Sequence, residues 1–162
     1  MRQRIIIITG IVLLIFLIIC IVMLIKQRNY VEIEKIKSFK YSYTNGYYMY
    51  ADKIYELEYK DNKYFASLKP EGISEEKKMV VEVDESVSKK IEDILNKYDV
   101  GAWNEFNKSD SRVLDGNSFN LDIKFMNDEK IYASGYMMWP KNYFEFKNEI
   151  INLYDDIFEK DK

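Results

Sequence analysis

Residues 54–68 read IYELEYKDNKYFASL. Tyr55, Leu57 and Tyr59 alternate with Glu56, Glu58 and Lys60, the period of two that sends successive side chains to opposite faces of a strand. One side is apolar and the other charged, so the strand lies half-buried, with one wet face. Asp61-Asn62 closes a hairpin, and Tyr64–Leu68 returns as its second strand. An antiparallel sheet follows from this stretch, and the flanking segments extend it.

Upstream, Tyr41, Tyr43, Tyr47, Tyr48 and Tyr50 surround Asn45-Gly46. Tyrosine is a favoured strand residue, and both turn residues tolerate the positive φ of a tight hairpin. A glycine bulge within one long strand is the alternative. Downstream, Pro70-Glu71-Gly72 ends the run, Ser74–Lys78 reads as a polar loop, and Met79–Val83 reads as another strand.

Asp84 then offers a carboxylate to the free N–H groups of a helix start. Val87, Ile91, Ile94, Leu95 and Tyr98 fall on one helical face, opposite Lys89, Lys90, Glu92 and Asp93, and Gly101 marks the stop. A loop, Ala102 to Asn117, leads to a hairpin of Phe119–Phe125 and Lys130–Met137 across Asn127-Asp128. Asn142 with Glu145 resembles a capping box, and Ile150, Tyr154, Ile157 and Phe158 form the buried stripe of a last helix. The expected class is α+β: a small antiparallel sheet in the order β-β-β-β-α-β-β-α, with two amphipathic helices packed on one face.

Residues 5–25, IIIITGIVLLIFLIICIVMLI, are apolar and bracketed by Arg2, Arg4, Lys26 and Arg28. As a helix at ~1.5 Å per residue they reach roughly 30 Å, a bilayer's hydrocarbon thickness. The reading is a single-pass transmembrane helix from Ile5 to Ile25 that partners the lipid bilayer. It follows an N-tail of residues 1–4 and precedes a basic juxtamembrane linker, residues 26–40, and a soluble domain, residues 41–162. No small-residue cleavage site follows the run. Ile19 stands before Cys20, where a lipobox has a small residue, so Cys20 reads as a lipid-facing side chain. The short basic N-tail places the domain outside the cell membrane, at the envelope, while the Lys26–Lys40 charges lean towards a cytoplasmic domain.

Charge is unevenly divided. Residues 1–40 carry 7 of the 24 Lys/Arg and 2 of the 27 Asp/Glu, so the remainder is strongly acidic. An acidic domain argues against nucleic acid as a partner. Histidine is absent, which removes the usual neutral-pH general base and the commonest metal ligand, and Cys20 is the sole cysteine. No phosphate-cradling glycine loop occurs among the six glycines. No metal, no cofactor and no catalytic constellation is expected.

Val100-Gly101-Ala102-Trp103-Asn104-Glu105-Phe106-Asn107-Lys108, Leu114-Asp115-Gly116-Asn117-Ser118-Phe119, Ala133-Ser134-Gly135-Tyr136 and Pro140-Lys141-Asn142-Tyr143 occur in that order. Together they resemble a group of membrane- or lipid-anchored proteins of low-G+C Gram-positive, clostridial-type bacteria. The likeness runs over roughly residues 41–158. It implies a bacterial cell-envelope protein and brings no activity and no site residue with it.

Two sets of residues merit a functional reading. Trp103, Phe106, Asp115 and Trp139, in the loops flanking the second hairpin, make either a ligand groove with stacking aromatics and a polar anchor or a cover over the open end of the core. The tyrosine run offers a stacking platform if its outward set is exposed. Asp110, Asp115 and Asn117 do not match a calcium loop. The functional expectation is a non-catalytic binding domain at the cell envelope, partnered by a glycan or a membrane protein. A cytoplasmic-facing accessory subunit of a membrane complex is the alternative, and a wall-polymer hydrolase stands third.

Overall fold

The computed structural model describes residues 11–21, 23–24, 29–44, 53–69 and 78–159. The chain divides into two compact units, Met1–Tyr30 and Val31–Lys162.

In the first unit, residues 11–21 and 23–24 are helical (α1), and their large apolar side chains are exposed. The ends of the expected span, Ile5 and Ile25, lie outside the described residues, as do Arg2, Arg4, Lys26 and Arg28. Among the described residues no helix is long and apolar enough to cross a membrane. At ~1.5 Å per residue, the described residues of α1 cover roughly 20 Å of the ~30 Å a bilayer core requires. The single-pass transmembrane helix, and the cell-membrane and extracellular placement built on it, are corrected on that ground.

The second unit is a seven-stranded mixed sheet with two further helices. Its elements are β1 (Ile36–Thr44), β2 (Lys53–Lys60), β3 (Lys63–Lys69), β4 (Met79–Val83), α2 (Glu85–Lys97), a 3₁₀ turn (Val100–Trp103), β5 (Asn107–Ser109), β6 (Ser118–Phe125), β7 (Lys130–Tyr136) and α3 (Tyr143–Glu159). The strand order is β4-β3-β2-β1-β6-β7-β5. Every pairing is antiparallel except β5 with β7, which is parallel. The expected all-antiparallel sheet is therefore corrected to a mixed one. Its extra strand, β5, is polar and three residues long, and so carries no apolar alternation to announce it.

The hairpin at residues 54–68 folds as its pattern dictates. Asp61 and Asn62 both adopt positive φ, 51° and 63°, as a two-residue hairpin turn needs. The register sets Tyr59 against Tyr64, Leu57 against Ala66 and Tyr55 against Leu68. β1 begins at Ile36, inside the stretch read as linker, and a bulge between Ile36 and Ser38 keeps Ile36 and Phe39 both buried. The Asn45-Gly46 turn and Tyr47, Tyr48 and Tyr50 lie outside the described residues, as does Pro70-Glu71-Gly72.

One face of the sheet carries the core. Phe39 and Tyr41, Tyr55 and Leu57, Tyr64 and Ala66, Phe119 to Phe125 at alternate positions, and Ile131 and Ala133 are all buried there. Against them pack Ile91, Ile94 and Leu95 of α2 and Tyr143, Phe146, Ile150 and Tyr154 of α3. Asp84 caps α2 by accepting from the Ser86 N–H at 2.8 Å. Two helix-end readings change. The left-handed residue beyond α2 is Asp99 (φ 57°) rather than Gly101. Asn142 has φ 63°, and its side-chain amide points to the Tyr98 carbonyl at 3.5 Å instead of closing a capping box.

Candidate functional site

Three of the four residues first singled out converge, but in the core. Trp103 is 3 % exposed, and its ring meets Phe146 edge-on at 5.1 Å. Trp139, half-buried, stacks on Tyr143 at 4.7 Å and lies 5.7 Å from Phe119, which Phe106 approaches at 6.2 Å. The rings of Trp103, Phe106, Phe119, Trp139, Tyr143 and Phe146 thus close the end of the core beyond β6 and β7. Their faces are taken up by one another, as burial and edge-to-face geometry favour. Asp115 does not join them: it is exposed, in the loop before β6. In that loop the Tyr136 hydroxyl donates to the carbonyls of Val113 and Leu114. Asp110 is engaged by its neighbour, both carboxylate oxygens accepting from Arg112 at 2.8 Å.

The tyrosine platform is likewise drawn inward where it is described. Tyr41 is fully buried, and its hydroxyl lies 2.9 Å from that of Tyr143. Burial pushes both phenols far above their usual range. Tyr43 is half-buried under the Lys147 ammonium, 3.8 Å from its ring centroid.

Within the second unit, α2 and α3 both pack on the core face, and the opposite face of the sheet carries neither. Directly opposed residues in the register run in rows across the strands. The central row is Ser67, Glu56, Lys40, Asp122 and Tyr132, crossing β3, β2, β1, β6 and β7. Beside it run Phe65, Glu58, Ser38, Lys124 and Lys130. Acid and amine alternate along the central row, whereas the second row ends on two opposed amines, Lys124 and Lys130; each row has an aromatic ring at one end. Tyr132 is 51 % exposed.

A cleft of about 390 Å³ opens on this face, lined among others by Ser38, Lys40, Glu56, Ser67, Lys78 and Asp122. Glu56 is its centre. Lys40 contacts one carboxylate oxygen at 3.0 Å, while Lys78 and the Ser67 hydroxyl, the latter at 3.1 Å, donate to the other. Burial raises the Glu56 carboxyl, but the hydrogen-bonded Lys78 and Lys40 outweigh it and hold the group below its ordinary value. The residue stays ionised, and the cleft presents a fixed negative charge between two amines.

The alternation at residues 54–60 marks Glu56 and Glu58 as a wet face. It holds no signal that Lys40, Asp122 and Tyr132 lie in line with Glu56, because cross-strand register is set by turns and bulges far away in sequence.

No protein-family model matches the chain, and no curated protein matches it. The site is therefore read from its own geometry.

Proposed function

We propose that this chain is a non-catalytic binding domain whose open sheet face recognises a glycan. The observation that carries this reading is the row Ser67–Glu56–Lys40–Asp122–Tyr132, a line of alternating acceptors and donors that ends on an exposed aromatic ring. Sugar hydroxyls both donate and accept, so charged and hydroxyl side chains in alternation can meet several at once with charge-assisted bonds. The apolar face of a pyranose ring suits an aromatic side chain such as Tyr132. The ion pairs around Glu56 hold that side chain in place before the ligand arrives, which limits the ordering entropy lost on binding. The acidic balance of the chain disfavours a nucleic-acid backbone in the same cleft.

The test is titration of the full chain with a panel of neutral and amino-sugar oligosaccharides, followed by isothermal calorimetry. Binding to one class is expected. Tyr132→Ala and Asp122→Ala should each weaken it at least tenfold while leaving the melting temperature unchanged. Failure to bind any member of the panel, or binding that survives both substitutions, would sink the reading.

A further inference from the structure

The two edges of the sheet differ in kind. At one end β5 is three residues long, Asn107-Lys108-Ser109, all exposed and none apolar. Short, charged edge strands of this sort discourage pairing with another chain. At the other end β4 is Met79-Val80-Val81-Glu82-Val83, with Met79 41 % and Val80 60 % exposed. Among the described residues β4 pairs with β3 alone, and its outer edge has no strand beside it.

We propose that β4 pairs antiparallel with β4 of a second copy of this chain, about a two-fold axis through Val81. The sequence around the edge complements itself in that register. Lys78 falls opposite Asp84, Met79 opposite Val83, Val80 opposite Glu82 and Val81 opposite itself. Directly opposed residues share a face. In the β3 register Met79, Val81 and Val83 stand against Leu68, Ala66 and Tyr64, so they belong to the helix-covered face. The two-fold joins them to their counterparts in one apolar ladder. Val80 and Glu82 belong to the open face, where the aliphatic side chain of each copy would lie against the stem of the other's glutamate. A register centred on Glu82 sets two carboxylates directly opposite, and one centred on Val80 sets Val83 opposite residue 77, outside the described residues. The Val81 centre uses all of β4 and sets unlike charges together at both ends. The resulting sheet is continuous through both copies, an isologous closed pair.

Positions 80 and 82 are both exposed, so they can be changed without touching the core. Full-length chain carrying Cys20→Ser would be made with Val80→Cys or with Glu82→Cys, and the two oxidised together and separately. An interchain disulfide in the mixture, and far less in either alone, is the expected result, because only unlike positions face each other at bonding distance. Sedimentation velocity provides the second readout. Val80→Glu sets two carboxylate pairs against each other and should weaken the dimer at least tenfold. Val80→Lys should tighten it, and Val80→Glu with Glu82→Lys should restore it. A monomer at all concentrations would overturn the proposal. So would a dimer indifferent to the charge at position 80, or disulfides that form equally in every combination.

Discussion

The two faces of one sheet obey different rules in this protein. On the covered face, Phe39, Tyr41, Tyr55, Leu57, Ala66, Leu121 and Ile131 are aromatic or aliphatic and at most a few per cent exposed. On the open face, the same strands present Lys40, Glu56, Asp122, Asn120 and Ser134. Packing decides the first face, where each side chain is held by many weak contacts and a lost methylene is felt. Charge pairing decides the second, where solvent screens most of what is gained. The covered face thus carries stability, and the open face contributes little to it.

That contrast can be broken hardest from the covered side. Phe146 is fully buried, with the rings of Tyr41 and Trp103 edge-on to it at 5.4 and 5.1 Å. Phe146→Ala should cost about 3–5 kcal/mol in chemical denaturation, the range for a large ring removed from a close-packed core. A loss below ~1 kcal/mol would show that this cluster does not bear the fold.

Gly135 comes next. A Cβ there would sit 2.1 Å from the Met138 carbonyl oxygen and 2.6 Å from Phe119 Cε1, and neither the backbone nor a buried ring can yield cheaply. Gly135→Ala should destabilise by about 1–3 kcal/mol, read as a lower denaturant midpoint with the slope unchanged.

A smaller change of opposite sign is expected at Tyr154. Its hydroxyl is buried with no hydrogen-bond partner among the described residues, although the ring packs edge-on against Tyr55 at 5.1 Å. Tyr154→Phe keeps the ring and removes the orphaned group, so the melting temperature should rise, by an amount equivalent to about 1 kcal/mol. A fall would mean that the hydroxyl is satisfied in solution.

The smallest effect belongs to the open face. Glu56 has a depressed carboxyl value in the fold, so its contribution is present above the unfolded-state value, near ~4.3, and is lost as pH falls through the lower folded one. Glu56→Gln should therefore cost less than about 1 kcal/mol at pH 7, and the gap to the parent should close below that acid window. A gap that persists undiminished at low pH would mean that packing, not charge, holds this residue.

Legibility follows the same division. The alternation in Tyr55–Lys60 and the helical spacing of Ile91, Ile94 and Leu95 are written in adjacent residues, so strand, helix and buried face are read directly. Trp103, Phe106 and Trp139 were recognisable as a group of aromatics, but one-dimensional spacing does not say whether ring faces meet each other or a ligand. Asp115 lies near them in sequence, and the loop carries it away into solvent. β5 was invisible, since its strand character comes from its pairing with Ser134, Gly135 and Tyr136 rather than from its own residues.

By itself, the sequence determined the α+β class, the 61–62 and 127–128 hairpins, the Asp84 cap and the buried faces of β2 and α2. Each of these rests on local propensity or on a period of two or 3.6, which neighbouring residues carry without help. Only the tertiary structure decided the strand order, the parallel edge strand, the alignment of Glu56 with Lys40, Asp122 and Tyr132, and the exposed flank of β4. Those depend on which strands meet and in what register, and that choice is made by the whole core packing at once.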